Sequence, residues 1–138
     1  MSTRSSTASY LKTRHDHALE TAEDYVEAVT DLIDELGVCR VTSLARRMGV
    51  SHVTASRIVT RLASEGLLET APYRPIELTP EGQRLAKRAR RRHEIVLRFL
   101  QAIGVPDEDA RRDAEGIEHH CSPTTLRAME HFTEAPSL

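Results

Sequence analysis

The sequence has no tryptophan, only three tyrosines and two phenylalanines, so aromatic side chains can supply little of its core. A chain of 138 residues that is 39% apolar can still close an aliphatic core, but it is small enough to lean on a partner. Its two cysteines, Cys39 and Cys121, stand far apart and in no Cys-x-x-Cys spacing, which argues against a disulfide framework. No apolar run approaches the roughly 18 residues that cross a bilayer. The first residues, Met1-Ser2-Thr3-Arg4-Ser5-Ser6, lack the apolar stretch of a secretory signal. The expectation is a cytoplasmic protein with no membrane partner. A His-Glu-x-x-His run, a glycine-rich phosphate loop and an obvious nucleophile are also missing, so nothing points to an enzyme or a small-molecule substrate.

What is present is a partition of charge. The formal net charge of −2 conceals 3 basic and 8 acidic side chains in residues 1–39, 13 and 5 in residues 40–98, and 3 and 8 in residues 99–138. A basic middle between acidic ends points to a polyanion-binding segment flanked by something that collects cations.

Residues 1–20 are rich in Ser and Thr without a clear period and read as a flexible arm, with Arg4, Lys12 and Arg14 available for a DNA contact. From Ala22 to Leu36 the apolar positions Tyr25, Val26, Val29, Leu32, Ile33 and Leu36 have helical spacing, and Gly37 is a stop. Thr42 or Ser43 can cap a short helix through Leu44, Ala45 and Met48. Gly49-Val50-Ser51 then turns the chain, and Ser51 caps a second helix with Ala55, Ile58, Val59 and Leu62 inward. That layout is a helix-turn-helix: glycine sits where the turn needs it, and small hydroxylated residues open the second helix. Ser51, His52, Thr54, Arg57 and Arg61 become candidate DNA contacts, with Arg57 and Arg61 the strongest at phosphate or guanine.

Two short strands, Leu67–Ala71 and Ile76–Thr79, flank Pro72-Tyr73-Arg74-Pro75, making the hairpin of a winged helix-turn-helix. Tyr73 and Arg74 at its tip are placed for phosphate or minor-groove contact, although a hairpin that merely covers the core fits the same pattern. Thr79-Pro80 opens a long helix that runs to about Ile103. Its first half is basic, and its second half (Ile95, Val96, Leu97, Phe99, Leu100, Ile103) is more apolar than one stripe requires, which reads as a homodimer seam. Pro106-Asp107-Glu108-Asp109 starts another helix with acids in its first turn and Ala110, Ala114, Ile117 and Cys121 inward; Ser122-Pro123 caps a last one through Leu126, Met129 and Phe132.

The fold class expected is mainly α with a small β-hairpin wing, a winged helix-turn-helix plus a helical dimerisation domain. The arm covers 1–20, the DNA-binding domain 21–79, and the linking helix with the metal-binding and dimerisation domain 80–138. Within Ala114-Glu115-Gly116-Ile117-Glu118-His119-His120, a continuous helix would put Glu115, Glu118 and His119 within about 100° on one face. Such a stripe can hold a divalent cation, or it can be a solvated acidic face.

Glu23-Asp24-Tyr25-Val26-Glu27, Arg92-His93-Glu94-Ile95-Val96 and Ala110 through His120 together resemble the DtxR/MntR family of metal-responsive repressors, in its manganese transport regulator branch. The resemblance covers roughly residues 21–132. It implies metal ligation by Asp24, Glu27, His93, Glu115, Glu118 and His119, with Mn²⁺ as the ion and two ions per subunit within reach. All six match the branch's residue types. Iron-responsive members carry softer ligands, sulfur among them, at the positions of Asp24 and Glu115, and oxygen donors there suit Mn²⁺. Longer members append an SH3-like domain that 138 residues leave no room for.

The implied mechanism is a switch. Carboxylates clustered without a cation repel one another, and a divalent ion would offset that repulsion and tie the first helix to the linking and dimerisation helices. A dimer reads palindromic half-sites about 34 Å apart, so fixing the spacing of its recognition helices shifts affinity for double-stranded DNA. A coupling of about 1–3 kcal/mol is typical. Alternatives are an Fe²⁺- or Zn²⁺-responsive member of the same family, and a winged-helix regulator sensing an organic ligand. A metallohydrolase built on Glu115, Glu118 and His119 is the weakest of the rivals.

Overall fold

The structure, a computed structural model, describes residues 3–135, with side chains from residue 17 onward. Its elements in chain order are helix α1 (Thr3–Leu36), α2 (Val41–Met48), α3 (His52–Ser64), strands β1 (Leu68–Glu69) and β2 (Glu77–Leu78), α4 (Pro80–Ala102), α5 (Asp107–Ile117), a 3₁₀ turn (Glu118–His120) and α6 (Pro123–Glu134). The fold is mainly helical with one small antiparallel sheet, in register Leu68↔Leu78 and Glu69↔Glu77. The chain divides into two units, Met1–Lys87 and Arg88–Leu138, with the boundary inside α4.

In the first unit, α1 already begins at Thr3, where the sequence reading has an arm. No glycine or proline interrupts residues 3–36, so nothing in the chain stops the helix from extending backwards. The side chains of Arg4, Lys12 and Arg14, proposed above for a DNA contact, lie outside the described residues. The helix ends as expected: Gly37 takes φ +83°, and its N–H donates to the Ile33 carbonyl at 2.8 Å. One face of α1 supplies Ala22, Tyr25, Val26, Val29 and Leu32 to a core that also holds Leu44 of α2, Val59 and Leu62 of α3, Leu68, Ile76, and Leu85 of α4.

The helix-turn-helix forms around Gly49, at φ +68°, a left-handed conformation that a Cβ would strain. Ser51 caps α3 by accepting the Thr54 N–H at 3.1 Å. The start of α2 differs from expectation: Arg40, extended at φ −121° and ψ 157°, precedes the first helical residue and makes no side-chain cap. Thr42 and Ser43 lie inside the helix, because Val41 already has helical geometry.

The hairpin is shorter than the sequence suggests. Pro72 and Pro75 cannot donate to a ladder, and Tyr73 at the tip takes φ +63°, the only non-glycine with positive φ among the described residues. A further bridge, Cys39↔Ile76, joins the segment after α1 to the second strand. Thr79 anchors the return. Its hydroxyl donates to the Gly66 carbonyl at 2.6 Å and accepts the Gly82 N–H at 3.0 Å, so one side chain holds the turn before β1 and caps α4. Gly82 permits this approach, since a Cβ there would lie 2.1 Å from the Leu67 carbonyl oxygen.

The second unit packs Val96 and Leu100 of α4 against Ala110 and Ala114 of α5 and Leu126 of α6, with Ile95, Leu97, Phe99, Val105, Cys121 and Met129 around them. Ser122 caps α6 by accepting the Thr125 N–H at 3.2 Å. Phe99 and Phe132 meet edge to face with ring centroids 5.5 Å apart, yet Phe132 is 54% exposed. The inward side of α5 is narrower than expected, because Ile117 is 37% exposed and only the two alanines are buried. Among the described residues, no helix is long and apolar enough to cross a membrane.

Candidate metal centre and nucleic-acid interface

Asp24 and Glu27 lie one turn apart on α1 and are half-buried. Glu20, one turn before Asp24, is half-buried too, so the acidic face extends N-terminally of the expected pair. A sequence reading that starts the helix at Ala22 overlooks it, although its i, i+4 spacing to Asp24 was available. Glu23 is 2% exposed and points to the buried side of the helix.

In the second unit, His93, Glu118 and His119 come together. His93 Nδ1 lies 2.8 Å from Glu118 Oε2, and His119 Nε2 lies 3.4 Å from Glu118 Oε1. Glu118 is 4% exposed, so each oxygen of a buried carboxylate faces an imidazole. Glu115 is exposed on the last turns of α5. The continuous helical stripe does not form, because α5 ends at Ile117 and the chain tightens into a 3₁₀ turn over Glu118–His120. Three residues per turn in place of 3.6 change the angle between Glu115 and the two residues after the break. His120 is exposed. Burial raises the pKa of the Cys121 thiol, with Arg92 acting weakly in the opposite sense.

The donor chemistry of this cluster fits a divalent cation: two ring nitrogens and a carboxylate, without sulfur in the contact. Within their own elements, Asp24 and Glu27 on α1 and Glu115 on α5 are further carboxylates with a half-buried or exposed side chain.

The exposed side of α3 is the second feature. His52, Val53, Ser56, Arg57 and Thr60 line a shallow concavity of about 440 Å³. Ser51 and Thr54 are also at this helix start, but their hydroxyls lie 3.0 Å apart within the cap. Arg61 is 43% exposed and pairs with Glu65 at 3.7 Å. Tyr73 is fully exposed at the hairpin tip and Arg74 beside it is exposed. Val53, 66% exposed, was missed by the sequence reading; its position four residues before Arg57 places it on the same face.

Residues 17–76 match the family model for the iron dependent repressor N-terminal DNA binding domain, and residues 79–138 match that for the iron dependent repressor metal binding and dimerisation domain. The chain is 47% identical over 125 residues to the transcriptional regulator MntR of Escherichia coli O6:H1, covering 91% of this chain and 81% of that protein. It belongs to the DtxR/MntR family. The HTH-type transcriptional regulator MntR of Geobacillus kaustophilus is 40% identical over 100 residues, covering 72% of this chain and 71% of the relative. A solved manganese-dependent transcriptional repressor in complex with manganese superposes with a TM-score of 0.73 at 28% identity, over 83% of this chain and 53% of the other. The manganese regulator SloR gives 0.71 and 27%, over 83% and 54%. The chain thus spans about half the length of these two solved proteins. As a DtxR/MntR member it is a DNA-binding, metal-responsive transcriptional regulator with a winged helix and a dimerisation domain, and not an enzyme.

Proposed function

We propose that this protein is a manganese-responsive repressor that acts as a homodimer in the cytoplasm on palindromic operators of metal-transport genes. The observation that carries this reading is the buried Glu118 carboxylate with an imidazole on each oxygen. Manganese is favoured by the oxygen-rich composition of the proposed ligand set, Asp24, Glu27, His93, Glu115, Glu118 and His119, and by the manganese regulators among its relatives. Four carboxylates and two imidazoles suffice for two ions per subunit.

When bound, a divalent cation supplies positive charge that offsets the repulsion among these acidic groups. His93 and His119 hold Glu118 in place at the end of α5. Arg57, Arg61, Tyr73 and Arg74 face the DNA backbone or bases, Ser51 and Thr54 order the start of α3, and His52 and Val53 complete its exposed face. Ile95, Phe99, Ile103 and Phe132 supply apolar surface for the second copy.

A gel-shift on the DNA upstream of the protein's own gene, run with Mn²⁺, Fe²⁺, Zn²⁺ and chelator, tests the reading. Strongest retardation with Mn²⁺ is expected; equal binding in chelator would reject it. Glu118→Ala should abolish the metal response while the dimer stays folded. Arg57→Ala should weaken DNA binding and leave calorimetric Mn²⁺ affinity unchanged.

A further inference from the structure

The end of α1 and strand β2 line a cleft of about 420 Å³, and we propose that this cleft binds an aliphatic diammonium cation, with one ammonium on Asp34 and the other on Glu77. The site lies wholly within the first unit and shares no residue with the proposed metal ligands.

Its volume lies within the roughly 300–1,000 Å³ of small-molecule sites. Ile33 of α1, Val38 just after it and Leu78 of β2 give it apolar walls, and Val38 is left 45% exposed. Asp34 comes from the helix side and Glu77 from the strand side, and both are exposed. Among the described residues, no lysine, arginine or histidine lines the cleft. Apolar walls between two anions match a methylene chain with a cation at each end. An aliphatic diamine is such a chain, doubly protonated at neutral pH because its amines resemble the lysine side chain.

Both carboxylates stand where stability alone would not put them. Asp34 is in the last turn of α1, where the helix carbonyls form the negative end of the dipole and favour a cation. That turn carries no basic residue. Arg47 does not serve Asp34: it takes Glu35 at 2.5 Å, approaches Asp31 at 3.9 Å, and is not among the residues lining the cleft. Glu77 is directly opposite Glu69 in the strand register, and like charges so placed destabilise a sheet. A ligand cation offsets both costs at once. Bound, it also fastens β2, at the foot of the wing, to α1, and so sets how firmly the wing is held as its tip meets DNA.

Calorimetric titration of the full chain with putrescine, in buffer at physiological ionic strength, tests the site. Saturable binding of one putrescine per subunit is expected, about tenfold tighter than butylamine, which has the same carbon chain and a single ammonium. Asp34→Asn and Glu77→Gln should each weaken putrescine binding by about fivefold or more. Glu134→Gln, at an exposed carboxylate of α6, should leave it unchanged. Both cleft variants should melt at or above the wild-type temperature, since each removes an unfavourable charge; the loss of binding is then not a loss of fold. No saturable heat with putrescine, equal affinity for butylamine, or undiminished binding in the two cleft variants would overturn the inference.

Discussion

Up to Lys87 the chain closes a core in which Val26, Val29, Leu44 and Leu62 have no exposed surface, with Gly82 letting α4 start against the Leu67 carbonyl. Among the described residues from Arg88 onward, only Val96, Ala110 and Ala114 reach that degree of burial, and two of the three are alanines. Two large apolar side chains of this second unit, Ile103 and Phe132, are about half exposed at 52% and 54%. At roughly 25 cal/mol per Å² of apolar area, the second core, with five buried residues, yields much less stabilisation than the first, with fourteen. The first unit closes its own core beneath the exposed face of α3. The second has surface left to bury, and a second copy of the chain is the natural cover in a dimerisation domain.

That contrast can be broken most severely at Gly82. Gly82→Ala puts a Cβ 2.1 Å from the Leu67 carbonyl oxygen, so its cost should reach or exceed the upper end of the about 1–3 kcal/mol typical of overpacking. Urea unfolding would measure it, and a near-wild-type midpoint would show that α4 can move away freely. Next come paired truncations. Leu62→Ala in the first core should cost about 3 kcal/mol, and Leu126→Ala in the second, where the side chain is 9% exposed, about 2. Equal losses would erase the distinction between the two cores.

Phe132→Ala should change unfolding of the dilute monomer little but weaken self-association by about tenfold, equivalent to about 1.4 kcal/mol. Sedimentation across a concentration series measures this, and an unchanged dimer would move the seam elsewhere. The two serine caps offer an internal control, since Ser51 and Ser122 make the same bond in the two units. Each change to Ala should cost about 1 kcal/mol, but only Ser51→Ala should also lower DNA affinity.

The gentlest effect is on pH dependence. Burial pushes the Cys39 thiol up to about 11 from an ordinary 9.0. The folded state therefore holds its proton more tightly than the unfolded state. This contribution to stability is fully present below pH 9 and is lost as the pH rises through about 11. Cys39→Ala should flatten that alkaline slope in a thermal-melt series, and an unchanged slope would assign it to other groups.

Much of the DNA-binding unit was legible because its signals are local. Gly37, Gly49, Ser51 and Thr79 each declare a stop, turn or cap within a few residues, and the apolar period of α1 and α3 identifies their buried faces. What escaped depends on contacts distant in sequence or on backbone choices with little side-chain signature. The Cys39↔Ile76 bridge and the Gly82 approach join segments that no spacing rule connects. The 3₁₀ turn at Glu118 also escaped, because Glu115-Gly116-Ile117-Glu118 is written in residues that continue a helix readily. Glu118 and His119 were legible as a neighbouring pair; the approach of His93 to Glu118 was available only from the resemblance. Val53 was passed over because a valine in a helix is ordinarily read as core.

Thr79 joins the two ends of the wing. With its hydroxyl on the Gly66 carbonyl and its own N–H donating to Leu67 O at 3.1 Å, the chain leaves and re-enters the body of the first unit at nearly one place. The residues from Thr70 to Pro75, ahead of the buried Ile76, thus behave as a cassette. Their length and composition can drift, or be exchanged among relatives, with the helices beneath them left intact. Diversification of what such a regulator touches beside its operator core can proceed there, at a pace independent of the selection that maintains the fold.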